Sequence, residues 1–171
     1  MVAIDHFSRK VVAVSPLDGP NAGMVINALE AVFENAGKPK HLISDHGSVF
    51  TNAAFREFMD SNRVKIRYGA IGEHGRFTVK ERVLETLKYE WLKKIAIIRG
   101  YQHLVKLCSE FTEWYNIWRP HKFLGSATPA AVFRDKAVPF VLKNAKDVPT
   151  DLETKRFKET KATAYKIRKA A

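Results

Sequence analysis

An α/β fold is predicted by three features of the sequence. Two short β-branched runs lie close together at its start, further short apolar runs follow, and helical stripes separate and succeed them. The opening runs are Val2-Ala3-Ile4 and residues 10–14, joined through Phe7-Ser8-Arg9 and closed by Ser15-Pro16 and Asp18-Gly19-Pro20. They predict an antiparallel hairpin.

From the cap residue Asn21 onward, Ala22, Val25, Ile26, Leu29, Val32 and Phe33 recur at helical spacing, and Gly37 and Pro39 end that helix. Residues 40–44 form the next strand, with Leu42 and Ile43 read as its buried end. Asp45 stands just past it, and Gly47 lets the chain turn. Residues 52–61 predict a short helix with Phe55 and either Phe58 or Met59 inward, and residues 64–68 alternate as a strand. Residues 69–76 hold three glycines and no apolar period, which predicts a flexible loop. Thr78 is positioned to cap a helix running to about Ile95. Leu84, Leu87 and Trp91 fall on one face of it, and Glu81, Glu85 and Lys88 on another. Tyr101, Leu104, Cys108, Phe111, Tyr115 and Trp118 make an unbroken helical stripe, which Pro120 stops. Thr128-Pro129-Ala130-Ala131-Val132-Phe133 predicts a short helix with proline in its first turn. Past residue 134 the period fades. The expected organisation is a core over 1–134 and a basic tail over 135–171, ordered in part at most.

A chain of 171 residues suffices for one domain with a real core. Mean hydropathy of -0.25 fits a soluble globular protein, and no run approaches the ~20 apolar residues of a membrane span. No signal peptide precedes the first strand, and a lone cysteine, Cys108, makes no internal disulfide, so the cytosol is the expected compartment. A net charge of +11 favours a polyanionic partner, with nucleic acid leading and a basic solvated surface as the alternative.

The candidate chemistry rests on Asp45 and Glu81, a carboxylate at a strand end and another at the start of a later helix, with 35 residues between them. Such a pair can converge on divalent cations, and phosphodiester chemistry with two metal ions needs carboxylates of this kind. Both residues have plain alternatives. Asp45 serves equally as a turn residue, and Glu81 as the last member of a capping box, Thr78-Val79-Lys80-Glu81. Lys88, two turns after Glu81 on the same face, is a candidate contact for a DNA phosphate or an ordinary exposed lysine. His46, His74 and His121 lack metal-site spacing. Ser8 and Ser48 lack a glycine-flanked nucleophile elbow.

Several segments then occur in a telling order: Ile4-Asp5-His6-Phe7-Ser8-Arg9, Ser44-Asp45-His46-Gly47-Ser48-Val49-Phe50-Thr51, Glu81-Arg82-Val83-Leu84-Glu85-Thr86-Leu87-Lys88, and Trp114-Tyr115-Asn116-Ile117-Trp118-Arg119-Pro120-His121. Leu124-Gly125 and Thr128-Pro129-Ala130 continue the pattern. Over residues 2–134 the chain resembles the integrase core of bacterial insertion-sequence transposases, kin to retroviral integrases. The resemblance implies a ribonuclease-H-like fold, a mixed sheet flanked by helices. It implies DNA as partner, Mg²⁺ or Mn²⁺ as cofactor, and an Asp-Asp-Glu triad for strand cleavage and strand transfer. Asp45 matches the second Asp and Glu81 the Glu. Lys88 matches the lysine that approaches DNA, and the loop from Gly69 to Gly75 matches the mobile active-site loop.

The first Asp of that triad does not carry over, because Asp5 matches the turn after the next strand. The resemblance thus implies a core lacking its first strand, with Asp5 as a poor substitute ligand. Three readings follow: an impaired transposase core; an active enzyme using Asp5; or a non-catalytic DNA-binding remnant that associates with full-length transposase or with itself. A bacterial cytoplasmic location, at the nucleoid when DNA-bound, goes with each. A missing central strand would leave two unpaired edges, so that the hairpin pairs directly with the 40–44 strand, another segment or chain fills the gap, or the protein is poorly soluble.

Overall fold

The computed structural model describes residues 1–19, 21–69, 78–135 and 152–167. It opens with the expected hairpin, β1 (Val2–Ile4) and β2 (Val11–Val14), antiparallel with Val2 opposite Val14 and a bulge after Ala3. The connecting turn is tied by Asp5, whose Oδ2 accepts from the Ser8 amide at 2.9 Å and the Ser8 hydroxyl at 2.6 Å. Ser8 is fully buried, and Arg9 takes the left-handed conformation that closes the turn, φ 62°.

Helix α1 (Ala22–Ala36) starts where Asn21 accepts from the Met24 amide and ends at Gly37, φ 85°. Strand β3 (His41–Ser44) follows, then a single turn, α2 (Ser48–Thr51), that sequence pattern did not reveal. Helix α3 (Ala53–Ser61) is capped by Asn52 and buries Phe55 and Met59. Strand β4 (Lys65–Tyr68) pairs with β3 in parallel, Leu42 opposite Ile66. Val25, Leu29, Phe33, Phe55, Met59 and Val64 form one core, with Leu42 and Ile66 against it. The other face of β3–β4 is open: His41, Ile43, Lys65 and Arg67 are exposed. Ile43 was expected inside, but with one covered face, alternate residues of the strand must point to solvent.

Helix α4 (Thr78–Glu85) continues through a π-helical stretch, Thr86–Trp91, into a 3₁₀ turn, Leu92–Lys94. The buried residues are Val83, Leu87 and Trp91, rather than Leu84, Leu87 and Trp91. Their spacing of four suits a widened turn better than a 3.6 period. Glu81, Glu85 and Lys88 lie exposed. Helix α5 (Tyr101–Glu113) also ends in a π-helical stretch, Trp114–Trp118, and α6 (Pro129–Asp135) begins at proline as expected. Two strands, β5 (Leu152–Arg156) and β6 (Thr163–Ile167), form an antiparallel hairpin where a tail was expected. Its Phe157 is 1% exposed and joins Val11, Val83, Leu87, Trp91, Phe111, Tyr115 and Trp118 in the second core. The Glu110 carboxylate accepts from the amides of Lys158, Glu159 and Thr160, and Lys155 pairs with Glu113. Sequence periodicity cannot show this, because the anchor is one aromatic residue and the partners lie on a distant helix. Residues 136–151 and 168–171 of the expected tail lie outside the described residues, as do the loop at 70–77 and the Thr78 side chain of the capping box.

The sheets β1–β2, β3–β4 and β5–β6 are separate among the described residues. The hairpin therefore does not pair with β3, and among the described residues β1 and β3 each hydrogen-bond a neighbouring strand along one edge alone. No helix among the described residues is long and apolar enough to cross a membrane.

The outer edge of β2 is held by a side chain. Asn116 Oδ1 accepts from the Val11 amide at 2.9 Å, and Asn116 Nδ2 donates to the Val11 carbonyl at 2.8 Å, all buried. Asn116→Ala leaves both backbone groups buried and unmade, at about 1–3 kcal/mol each. Urea unfolding of Asn116→Ala should show a loss of about 2–6 kcal/mol, well beyond the usual effect of a surface asparagine.

His121 is 9% exposed, with its ring edge-on to Tyr115 at 4.6 Å and Nε2 lacking a partner among the described residues. Burial, then the Arg119 charge, lowers its pKa to about 4. A folded pKa below the unfolded 6.5 means the unfolded chain takes up the proton first. The associated stability is complete above pH 6.5 and is lost as pH falls toward 4, by up to about 3 kcal/mol. His121→Gln should flatten the stability profile over that window, as measured by denaturant midpoints from pH 7 to pH 4.

Candidate functional site

Asp45 is the first residue after β3, and its position is fixed from both sides. The Ser44 side chain beneath it is buried, and the Ser44 carbonyl accepts from the Gly69 amide at 3.0 Å, one residue past β4. His46 stacks on Tyr68 at 4.9 Å, and the Tyr68 hydroxyl donates to the Phe50 carbonyl at 2.9 Å. The strand ends and α2 are thereby locked to each other. Asp45 Oδ1 accepts from the Gly47 amide at 3.1 Å. Its Oδ2 lies 3.4 Å from Lys80 Nζ, and the two side chains are about half and over a third exposed.

Lys80 stands in the first turn of α4, and the next residue is Glu81. The contact therefore brings the start of α4 to the end of β3. Asp45 reaches this junction from the strand, Glu81 extends from the same helical turn, and Lys88 is exposed further along the same helical run. Asp5 is differently engaged: its carboxylate is held by Ser8 inside the hairpin turn. Among the described residues no three His, Cys, Asp or Glu side chains gather as a metal set.

Sequence reasoning passed over Lys80, reading it as filler in a capping box. The available signal was its place immediately before Glu81. It also passed over the role of Gly47 as a spatial requirement. The Gly47 backbone, φ -56° and ψ 145°, suits any residue, but a Cβ there would stand 3.0 Å from Asp45 Oδ1.

The exposed face of β3–β4, running back from Asp45 toward the strand starts, carries positive charge. Lys40, His41, Lys65 and Arg67 are exposed on β3–β4 and the residue before it, and Arg67 Nη2 lies 3.1 Å from His41 Nε2. Desolvation, then the charges of Arg67, Lys65 and Lys40, lower the His41 pKa. Neither of two surface concavities, one beside Thr51, Arg56 and Tyr68 and one between β2 and α5, includes Asp45 or Glu81. Asp45 is a half-exposed carboxylate, the kind of oxygen donor a hard divalent cation takes, and Glu81 is exposed on the helical turn that Lys80 brings to it. The Lys80 ammonium already marks Oδ2 as a place where positive charge settles.

Two family models, each described as integrase core domain, match residues 1–74 and 62–129, so that together they span 1–129. The HTLV-2 integrase catalytic core domain, solved in complex with magnesium, superposes with a TM-score of 0.64 at 20% identity, over 77% of this chain and 82% of that one. The catalytic core domain of BIV integrase gives 0.65 at 20% identity, over 79% and 84%. A chain of the simian T-cell lymphotropic virus intasome, in complex with PP2A regulatory subunit B56 gamma, gives 0.66 at 16% identity; the match covers 96% of this chain and 59% of that one. No curated protein matches the sequence. At these identities the superpositions establish a shared fold, the ribonuclease-H-like architecture.

Gly47→Ala tests how tightly Asp45 is seated. In the native chain the new methyl meets Oδ1, and the variant should lose about 1 kcal/mol. In an Asp45→Ala background that oxygen is absent, and the same change should stabilise by about 0.4–1 kcal/mol through the unfolded state. A reversal of sign across this double-mutant cycle, read from urea midpoints, is the expected outcome.

Proposed function

Because this chain belongs to the integrase-core family of DNA-integration proteins, we propose that it acts on DNA as a transposase or integrase core, through metal-dependent phosphodiester cleavage and strand transfer. The observation that carries the proposal is the Asp45–Lys80 contact, which joins the end of β3 to the helical turn bearing Glu81. Asp45 and Glu81 are the residues that would hold Mg²⁺ or Mn²⁺. Cations held there supply activation of the attacking oxygen and stabilisation of the leaving oxygen.

The remaining work falls to the chain's own groups. Lys40, Lys65 and Arg67 line the open face of β3–β4 and offer charge to a phosphate backbone whose strand leads toward Asp45. Lys88, exposed beyond Glu81, extends that contact to the DNA end. Gly47 holds Asp45 Oδ1 inward through its amide, leaving Oδ2 turned toward α4. Asp5 Oδ2 is committed to the Ser8 amide and hydroxyl inside its own turn, which argues against Asp5 as a third ligand. The chain by itself is therefore proposed to bind DNA without cutting it, with catalysis requiring a further carboxylate.

The engagement of Asp5 also favours a second reading, a non-catalytic DNA-binding remnant that associates with copies of itself or with a complete relative. Dimeric and trimeric forms are recorded for the HTLV-2 core. Co-purification with a complete transposase separates the two readings.

Duplex binding should weaken steeply with salt. Lys65→Ala with Arg67→Ala should reduce the log–log salt slope by about 2, at roughly 0.9 per phosphate contact. An unchanged slope removes the β3–β4 face from the interface. In a plasmid-nicking assay with Mg²⁺ or Mn²⁺, the isolated chain is expected to leave DNA intact. Metal-dependent nicking that disappears in Asp5→Asn would return Asp5 to the site.

A further inference from the structure

We propose that Lys80 is a built-in counter-ion of Asp45 that competes with a divalent cation for the carboxylate and so sets how readily the site loads. This rests on the reading of Asp45 as a metal-holding group.

Both Asp45 oxygens are engaged: Oδ1 by the Gly47 amide at 3.1 Å, and Oδ2 by the Lys80 ammonium at 3.4 Å. A divalent cation the size of Mg²⁺ sits about 2.1 Å from a carboxylate oxygen. A cation on Oδ2 and an ammonium left in place would then be at most about 5.5 Å apart, inside the ~8 Å screening length of physiological salt. Like charges at that range oppose each other, so loading requires the ammonium to withdraw. The geometry permits withdrawal. Lys80 is over a third exposed, its stem is flexible, and Asp45 is half exposed. An ion pair in such a setting is weak, so the Asp45–Lys80 contact itself opposes exchange little. Its place immediately before Glu81 means that the displaced ammonium remains beside the carboxylates, where a nucleic-acid phosphate can receive it.

The side chain at this position should then grade cation affinity by charge and geometry. Methionine keeps the length and removes the charge. Arginine keeps the charge and offers a planar fork that grips a carboxylate with two hydrogen bonds. A role in packing alone would not separate these two in opposite directions.

The test is Mn²⁺ binding to the full chain, read from the electron paramagnetic resonance signal of free Mn²⁺, with circular dichroism verifying the fold of each variant. Lys80→Met should bind about threefold to tenfold more tightly than the native chain, Lys80→Arg at least about twofold more weakly, and Asp45→Asn should lose the site. If Asp45→Asn abolishes binding while Lys80→Met binds no tighter than the native chain, the counter-ion role is overturned and Asp45 keeps its assignment. If the native chain binds no Mn²⁺, or Asp45→Asn binds it equally well, the metal-holding role of Asp45 falls and the counter-ion role falls with it.

Discussion

The second core depends on one buried exchange between the Asn116 amide and the Val11 backbone, across 105 positions of sequence. Val11 is 1% exposed on the outer strand of the hairpin. Its amide and carbonyl point away from β1, where no water reaches, and a second strand would ordinarily meet them. A primary amide is the side-chain group that answers both, donating with nitrogen and accepting with oxygen. Asn116 lies in the π-helical stretch Trp114–Trp118, where Tyr115, Asn116 and Trp118 are all buried. The hairpin is thereby held against the aromatic core built from Trp91, Phe111, Trp114 and Phe157.

Trp91 carries the constraint across to the other helix. It is fully buried, donates Nε1 to the Leu107 carbonyl at 3.1 Å, and stacks on Trp114 at 5.1 Å. It ends the π-helical continuation of α4, the helix whose first turn bears Lys80 and Glu81. The candidate site's helix is thus anchored at its far end by a buried aromatic residue and its hydrogen bond, while the Lys80–Asp45 contact holds its first turn. Two π-helical stretches, each following an α-helix, contribute buried residues to this one core.

Much of this was legible in sequence because local chemistry decided it. Asn21 and Asn52 cap their helices as their positions require, and Phe55 with Met59 faces inward at helical spacing. The order of motifs around Asp5, Asp45, Glu81 and Trp114 pointed to an integrase core and hence to the fold. What stayed hidden depends on distant partners or on altered helical pitch. The β5–β6 hairpin owes its docking to Glu110 and Glu113 on α5, so its own residues read as a solvated basic tail. The exchange of Leu84 for Val83 at the core follows from a π-helical stretch that a 3.6-residue template cannot register. Ile43 was assigned to the interior on hydrophobicity, but a strand covered on one face alone exposes alternate residues.

The two aspartates show how a few neighbouring residues separate a structural carboxylate from an available one. Asp5 and Asp45 each follow a short strand and each turns back on a nearby amide. After Asp5 the residue three places on is Ser8, which brings an amide and a hydroxyl to the same oxygen and is itself buried. Removing that carboxylate from its turn would strand both donors, so Asp5 is held for architecture. After Asp45 the residue two places on is Gly47, which offers an amide and no side chain. One oxygen is steadied and the other faces the start of α4, half exposed, with a lysine opposite. A carboxylate oriented by one amide and left accessible at its second oxygen can exchange one cation for another. Local turn chemistry, more than strand position, therefore determines which of two similar aspartates remains open to chemistry.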